Sequence, residues 1–200
     1  MAIEPAPFAS FQLTICGIPE LAEHGAAGVT HVLSILDPDT PDPPAFEAFA
    51  PHRRLALRFH DIIETGPDCV APQKADVERL LAFGRELTDL SRSHLLIHCH
   101  AGVSRSTASA ALILMQARPE RPAREALEAV SQIRPRAWPN LRILEFGDAL
   151  LGRNGEIVAA ASAVYRRLLE REPSFQGLMV DSGRAREVLA ALGPDASLTS

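Results

Sequence analysis

Apolar residues recur along this chain at two spacings. In "FQLTICGI" (11–18), "VTHVLSILDP" (29–38) and "RRLALRFHDI" (53–62) they form short runs rich in β-branched and aliphatic residues, which predicts three strands. In the third run Leu55, Leu57 and Phe59 fall on one face, and the strand is expected to end at Asp61. "PELAEHGAAG" reads as a helix or loop, and "DPDTPDPPAFEAFAP" carries too many prolines for an interior element, so it is a surface connection. From Gln73 to Leu90 the spacing turns helical: Val77, Leu80, Leu81, Gly84, Leu87 and Leu90 share a face, and Pro72 stands where a helix can start.

"HLLIHC" (94–99) is a continuous apolar run of the type that forms a central strand, and "SRSTASAALILMQA" (104–117) is long enough for a buried helix that Pro119 stops. After Pro122, a helix follows with Ala126, Leu127, Val130 and Ile133 inward, and "NLRILEFGDALL" (140–151) predicts another. Strands alternating with helices, then a helical run, predict an α/β fold: a central, mostly parallel sheet flanked by helices. Beyond residue 152 the helical spacing of Ile157, Ala161, Val164 and Leu168, then "EPSFQGLMVDSG" and the short amphipathic "RAREVLAAL", carry no catalytic pattern. Residues 1–151 are therefore expected to form one domain, with 152–200 as a helical extension packed on it.

With 46% hydrophobic residues among 200, the chain has enough apolar mass for a core of its own. A formal charge of -5 without any Lys/Arg-rich run disfavours nucleic acid as a partner, since that requires many phosphate-neutralising side chains on one face. Cys16, Cys69 and Cys99 match neither a disulfide framework nor a zinc pattern. "MAIEPAPFAS" lacks the basic and apolar regions of an export signal, and no stretch approaches the ~18 apolar residues of a membrane span. A cytoplasmic protein without membrane attachment is the expectation.

The chemistry concentrates in residues 98–106. A strand that enters a glycine-bearing loop and opens a helix brings backbone N–H groups together where the helix dipole is positive, which makes an anion site. Here that loop begins with Cys99, whose surroundings favour the thiolate, the nucleophilic form. Arg105, six positions on, can bring its planar fork over the loop and grip two oxygens of a tetrahedral anion. Gly102 permits a turn that a Cβ would obstruct. His100, Ala101, Gly102, Val103 and Ser104 supply loop N–H groups, and Ser106 stands beside the nucleophile either as a donor to the sulfur or as a helix cap.

"HCHAGVSRS" (98–106) resembles the His-Cys-(five residues)-Arg-Ser/Thr signature of the cysteine-dependent protein tyrosine phosphatase superfamily, and "AGVSRS" is closest to its dual-specificity phosphatase-like branch. "FHDI" and "IRPRAWPNLRILEF" are similar to flanking segments of that branch, so the resemblance covers roughly residues 10–150. It implies a protein tyrosine phosphatase-like fold, with residues 1–151 as the catalytic domain. It also implies hydrolysis of a phosphate monoester through a cysteinyl phosphate, with no cofactor and no metal. Cys99 would be the nucleophile, Arg105 the phosphate grip, Ser106 a donor to the sulfur, and His98 a buried support hydrogen-bonding near the cysteine backbone. Asp61 would be the general acid, with Asp68 and then Glu64 as the other candidates, and Asn140 would brace the loop.

The expected substrate is a phosphorylated protein, with phosphotyrosine or mixed phosphotyrosine and phosphoserine/threonine as the default, or a small phosphate monoester. Lysine is missing between Cys99 and Arg105, which disfavours a highly anionic lipid headgroup. Trp138 is expected to pack rather than line the pocket, and Cys16 and Cys69 to be bystanders. A rhodanese-type sulfurtransferase and a catalytically idle phosphate-binding module are the competing readings.

Overall fold

The structure, a computed structural model, describes residues 8–87 and 93–198. Leu90 lies outside them. Four strands, β1 (Gln12–Gly17), β2 (His31–Leu36), β3 (Arg53–Arg58) and β4 (His94–Cys99), form one all-parallel sheet in the order β1-β4-β2-β3. β4, the continuous apolar run, is buried at every position because it lies between two neighbours and is covered on both faces.

Alternation along the strands divides the interior in two. Ile15, Leu33, Ile35, Leu57, Leu95, Ile97 and Cys99 face the main core, which is built with α1 (Lys74–Arg85), α2 (Arg105–Ala117), α3 (Ala123–Ile133), α4 (Leu141–Leu150), α5 (Glu156–Arg171), α6 (Phe175–Asp181) and α7 (Ala185–Leu192). Cys16, Val32 and Leu96 face a smaller cluster with Leu21 and Val29. That second face is covered by two 3-10 turns, Ile18–His24 and Pro44–Ala48, rather than by α-helices.

α2 is the spine of the main core: every residue from Arg105 to Met115 is buried, with Ala108, Ala110 and Ala111 letting it lie close to β1 and β4. α5 packs on α3 and α4 through Ile157, Ala161, Val164, Tyr165 and Leu168. Where the structure departs from the sequence pattern, the cause is pairing. β3 stops at Arg58, three residues before Asp61, because its register with β2 ends at Leu36–Arg58 and only Phe59 N still reaches Leu36 O, at 3.0 Å. The proline-rich connection holds one 3-10 turn, whose Phe46 leans on the smaller cluster. "EPSFQGLMVDSG", where the spacing indicates no element, contains α6, which buries Phe175 and Met179. Among the described residues no helix is long and apolar enough to cross a membrane.

Candidate active site

The parallel sheet brings the C-terminal ends of its strands to one edge, and the loop 100–104 springs from the end of β4 there. Gly102 has φ +70°, and a Cβ on it would lie 2.5 Å from the Cys16 carbonyl carbon, so the loop rests directly on the end of β1. The loop's carbonyls are held on its outer side. His100 O accepts from Ile18 N (2.9 Å), Ala101 O and Gly102 O accept from the Arg134 guanidinium (both 3.2 Å), and Val103 O accepts from Trp138 N (2.9 Å). Arg134 is fixed in turn by Glu20, 2.8 Å away.

With its carbonyls committed outward, the loop leaves the N–H groups of residues 101–106 without an acceptor among the described residues. Cys99, 2% exposed, belongs to the same end of β4, and its Sγ lies 3.2 Å from Ser106 Oγ. Ser106 is the second residue of α2 and Ser104 occupies the cap position, so the capping alternative for Ser106 falls away. Arg105 is 3% exposed; its Nη1 donates to Asp37 Oδ1 and to Phe59 O, each at 2.6 Å, while its Nε is buried without a partner among the described residues. The guanidinium is thus anchored by one nitrogen, with a second donor uncommitted.

Three elements meet at Asp61. Its Oδ1 accepts from Ser104 Oγ at 2.7 Å and from Asn140 Nδ2 at 2.9 Å, and Arg184 Nη1 is 3.3 Å away. Asn140 caps α4 by accepting from Ile143 N (3.1 Å), its Nδ2 also donates to Ile62 O (3.2 Å), and its own N donates to Ser104 O (3.4 Å). It therefore ties the Asp61 loop to the loop after Cys99. Asp68, in the left-handed region at φ +61°, makes no bond to that loop among the described residues, and Glu64 is paired with Arg186 at 2.7 Å.

His98 is fully buried on the opposite face of β4 from Cys99, with Nε2 2.7 Å from Ser34 Oγ, which also accepts from Arg54 Nε at 3.0 Å. Burial pushes its imidazole down to about 4, against the opposing pull of the Cys99 backbone, so it is neutral at physiological pH. His100 is half-buried; its Nε2 accepts from Asp37 N at 3.3 Å, and burial followed by the Arg105 charge lowers its pKa. Burial, then Glu20, pushes the Cys16 thiol up to about 12, and Cys16 faces the smaller cluster rather than Cys99. Trp138 is buried against Tyr165 and Phe175. Among the described residues no three His, Cys, Asp or Glu side chains gather as metal ligands would.

The sequence pattern alone did not reveal Asp37, the Ser104 side chain, Arg184 or Glu187. Asp37 carried a weak signal, being an acid directly after a parallel strand. The other three become visible only when the chain is folded.

No family profile matches this sequence, and no curated protein sequence matches it. Solved structures do. Human DUSP28 is 18% identical over 70% of this chain and 94% of its own, with a TM-score of 0.53. DUSP15 is 23% identical over 80% and 91%, with a TM-score of 0.51, and PTPMT1 in complex with PI(5)P is 17% identical over 76% and 97%, with a TM-score of 0.52. The chain has the fold of the dual-specificity phosphatase-like branch of the cysteine-dependent protein tyrosine phosphatase superfamily.

Proposed function

We propose that this chain hydrolyses phosphate monoesters through a cysteinyl-phosphate intermediate, as a protein tyrosine or dual-specificity phosphatase. The observation that carries the reading is the convergence of uncommitted N–H groups from residues 101–106 and the orphaned Arg105 Nε around the end of β4 that bears Cys99. A buried donor such as Arg105 Nε is costly without a partner, and a tetrahedral oxyanion offers acceptors to it and to the loop N–H groups together.

In the first step the Cys99 thiolate attacks phosphorus and the P–O bond to the leaving group breaks. Asp61 gives its proton to the departing oxygen. Water then attacks the cysteinyl phosphate, Asp61 takes one of its protons, and the S–P bond breaks to return the thiolate, which the Ser106 hydroxyl stabilises from 3.2 Å. Asp61 is favoured over Asp68 and Glu64 because its carboxylate is bound to Ser104 of the loop itself. His98 acts only as a neutral buried support, and Asn140 holds Asp61 and the loop in one frame.

Phosphotyrosine or mixed phosphoprotein substrates fit best. PTPMT1 has been solved with PI(5)P, but the loop here carries no lysine between Cys99 and Arg105, so multiply charged headgroups lack a counter-charge. The test is turnover of p-nitrophenyl phosphate under reducing conditions, set beside Cys99→Ser, which is expected to abolish turnover while still binding vanadate. Asp61→Asn is expected to lose more rate on poor leaving groups than on good ones. Turnover by Cys99→Ser would end the proposal. Thiosulfate-to-cyanide activity would favour a sulfurtransferase, and an inactive wild type that still binds vanadate would favour an idle phosphate-binding module.

A further inference from the structure

We propose that Arg184, brought in by the C-terminal helices, is a positioning residue that sets which oxygen of Asp61 carries the catalytic proton. The inference rests on Asp61 being the general acid. Arg184 is 4% exposed and lies just before α7, 80 positions beyond Ser104, whose hydroxyl it touches: Nη1 donates to Ser104 Oγ at 2.8 Å. A guanidinium has only donors, so Ser104 Oγ must accept from it, and the one hydroxyl proton of Ser104 is then directed at Asp61 Oδ1, 2.7 Å away. Asn140 Nδ2 donates to the same Oδ1, and Arg184 Nη1 itself stands 3.3 Å from it. With these donors converging on Oδ1, the acid proton is left to Oδ2, the oxygen free to meet the leaving group.

The arrangement needs a guanidinium whose orientation is fixed by a partner of its own. Glu187, 0% exposed, supplies that: its two oxygens take Arg184 Nε and Nη2, each at 2.7 Å, in a bidentate pair. With Nε and Nη2 taken by Glu187, Arg184 is oriented so that Nη1 is the nitrogen turned to Ser104 and Asp61. Glu187 is anchored by Leu141 N at 2.9 Å and by Trp138 Nε1, so the pair is tied to the start of α4, one residue from Asn140. Those anchors alone would fasten α7 to the core. The contacts of Arg184 with Ser104 and Asp61 are additional to that fastening, and they are what makes the pair part of the acid site.

The test uses the full chain and a series of aryl phosphates from p-nitrophenyl to phenyl. Arg184→Met combined with Glu187→Gln removes both charges together, so no buried charge is orphaned. This double variant is expected to lose about tenfold more kcat/KM on phenyl phosphate than on p-nitrophenyl phosphate, a partial loss of the roughly 10²–10⁴-fold that a positioned general acid supplies. Its vanadate affinity should match the wild type. In an Asp61→Asn background the same pair of changes should shift the ratio no further. An unchanged ratio, or an equal loss on every substrate together with weakened vanadate binding, overturns the proposal and leaves Arg184 a structural pair. Should the double variant fail to fold, Arg184→Lys is read the same way: a shifted ratio supports the proposal and a wild-type ratio overturns it. Failure of the catalytic reading is separate, because it would show as turnover by Cys99→Ser or as no leaving-group effect of Asp61→Asn.

Discussion

Asp37 Oδ1 accepts from Arg105 Nη1 at 2.6 Å, so the acid that follows β2 anchors the cation that begins α2. Phe59 O is the second anchor, also at 2.6 Å. Two effects of Asp37 on an incoming phosphate oppose each other: its charge repels the anion, and its oxygen fixes the guanidinium. Asp37→Asn keeps an acceptor oxygen and removes the charge, so vanadate inhibition should be as tight as in the wild type or tighter. Asp37→Ala removes the oxygen as well, a charge-assisted bond worth about 1.5–3 kcal/mol, and kcat/KM on p-nitrophenyl phosphate should fall about tenfold. Wild-type kcat/KM in Asp37→Ala would show that Phe59 O alone holds Arg105.

Gly102 and Gly152 share a left-handed backbone, φ +70° and +64°, but not surroundings. Added at 102, a Cβ meets backbone atoms of Cys16 and Gly17 at 2.5–2.7 Å, which cannot turn aside as a side chain would. At 152 it meets nothing within 4 Å. Gly152→Ala should cost about 1–2 kcal/mol in urea unfolding, the conformational term alone, with full turnover. Gly102→Ala should cost about 3 kcal/mol or more once the clash is included, and should lose vanadate binding because the loop must lift from β1. Equal costs at the two positions would mean the loop has slack.

Tyr165 links α5 to the segment that carries Asn140, its hydroxyl donating to Pro139 O from a fully buried position. Burial drives the phenol pKa well above its ordinary value, so it serves as a neutral donor. Tyr165→Phe leaves Pro139 O unpaired and should cost about 1–3 kcal/mol in chemical denaturation. Turnover of p-nitrophenyl phosphate should stay within about twofold of wild type, since Asn140 keeps its own bonds to Asp61, Ile62 and Ile143. A large loss of turnover with little loss of stability would instead place α5 in control of Asn140.

Residues 98–106 were readable because their chemistry is contiguous: sulfur, glycine and guanidinium lie between the end of one strand and the start of the next helix, and local spacing translates directly into geometry. Asp61 and Asn140 were singled out through the segments "FHDI" and "PRAWPN", and the fold brings both side chains to the loop after Cys99. The end of β3 was misplaced because a strand stops where its neighbour stops pairing, and the pattern of one strand does not contain the length of the next. Asp37 was hidden among the acids and prolines of a connection that reads as solvated surface. Arg184 and Glu187 look like an ordinary i,i+3 pair on a short amphipathic helix. Their burial is a tertiary fact, created by Trp138, Leu141 and Ser104 arriving from other elements.

His98 gives the fold a dependence on pH with a definite sign. Its ordinary pKa of 6.5 is lowered to about 4 in the native state, by burial first and with the Arg54 charge beyond Ser34 acting in the same direction. Above 6.5 both native and unfolded chains hold it neutral. As pH falls from 6.5 towards 4 the unfolded chain gains a proton that the native one refuses, so stability drops, by about 3 kcal/mol once the window is crossed. Burial also lowers His31, His94 and His100, which steepen the slope in the same direction. His98→Gln isolates one contribution, since its amide oxygen can accept from Ser34 and does not titrate. Urea unfolding at several pH values should give the variant a profile flatter than wild type by about 3 kcal/mol between pH 7 and pH 4. Parallel profiles would mean that His98 accepts its proton without unfolding, and that the bond to Ser34 survives in the charged form.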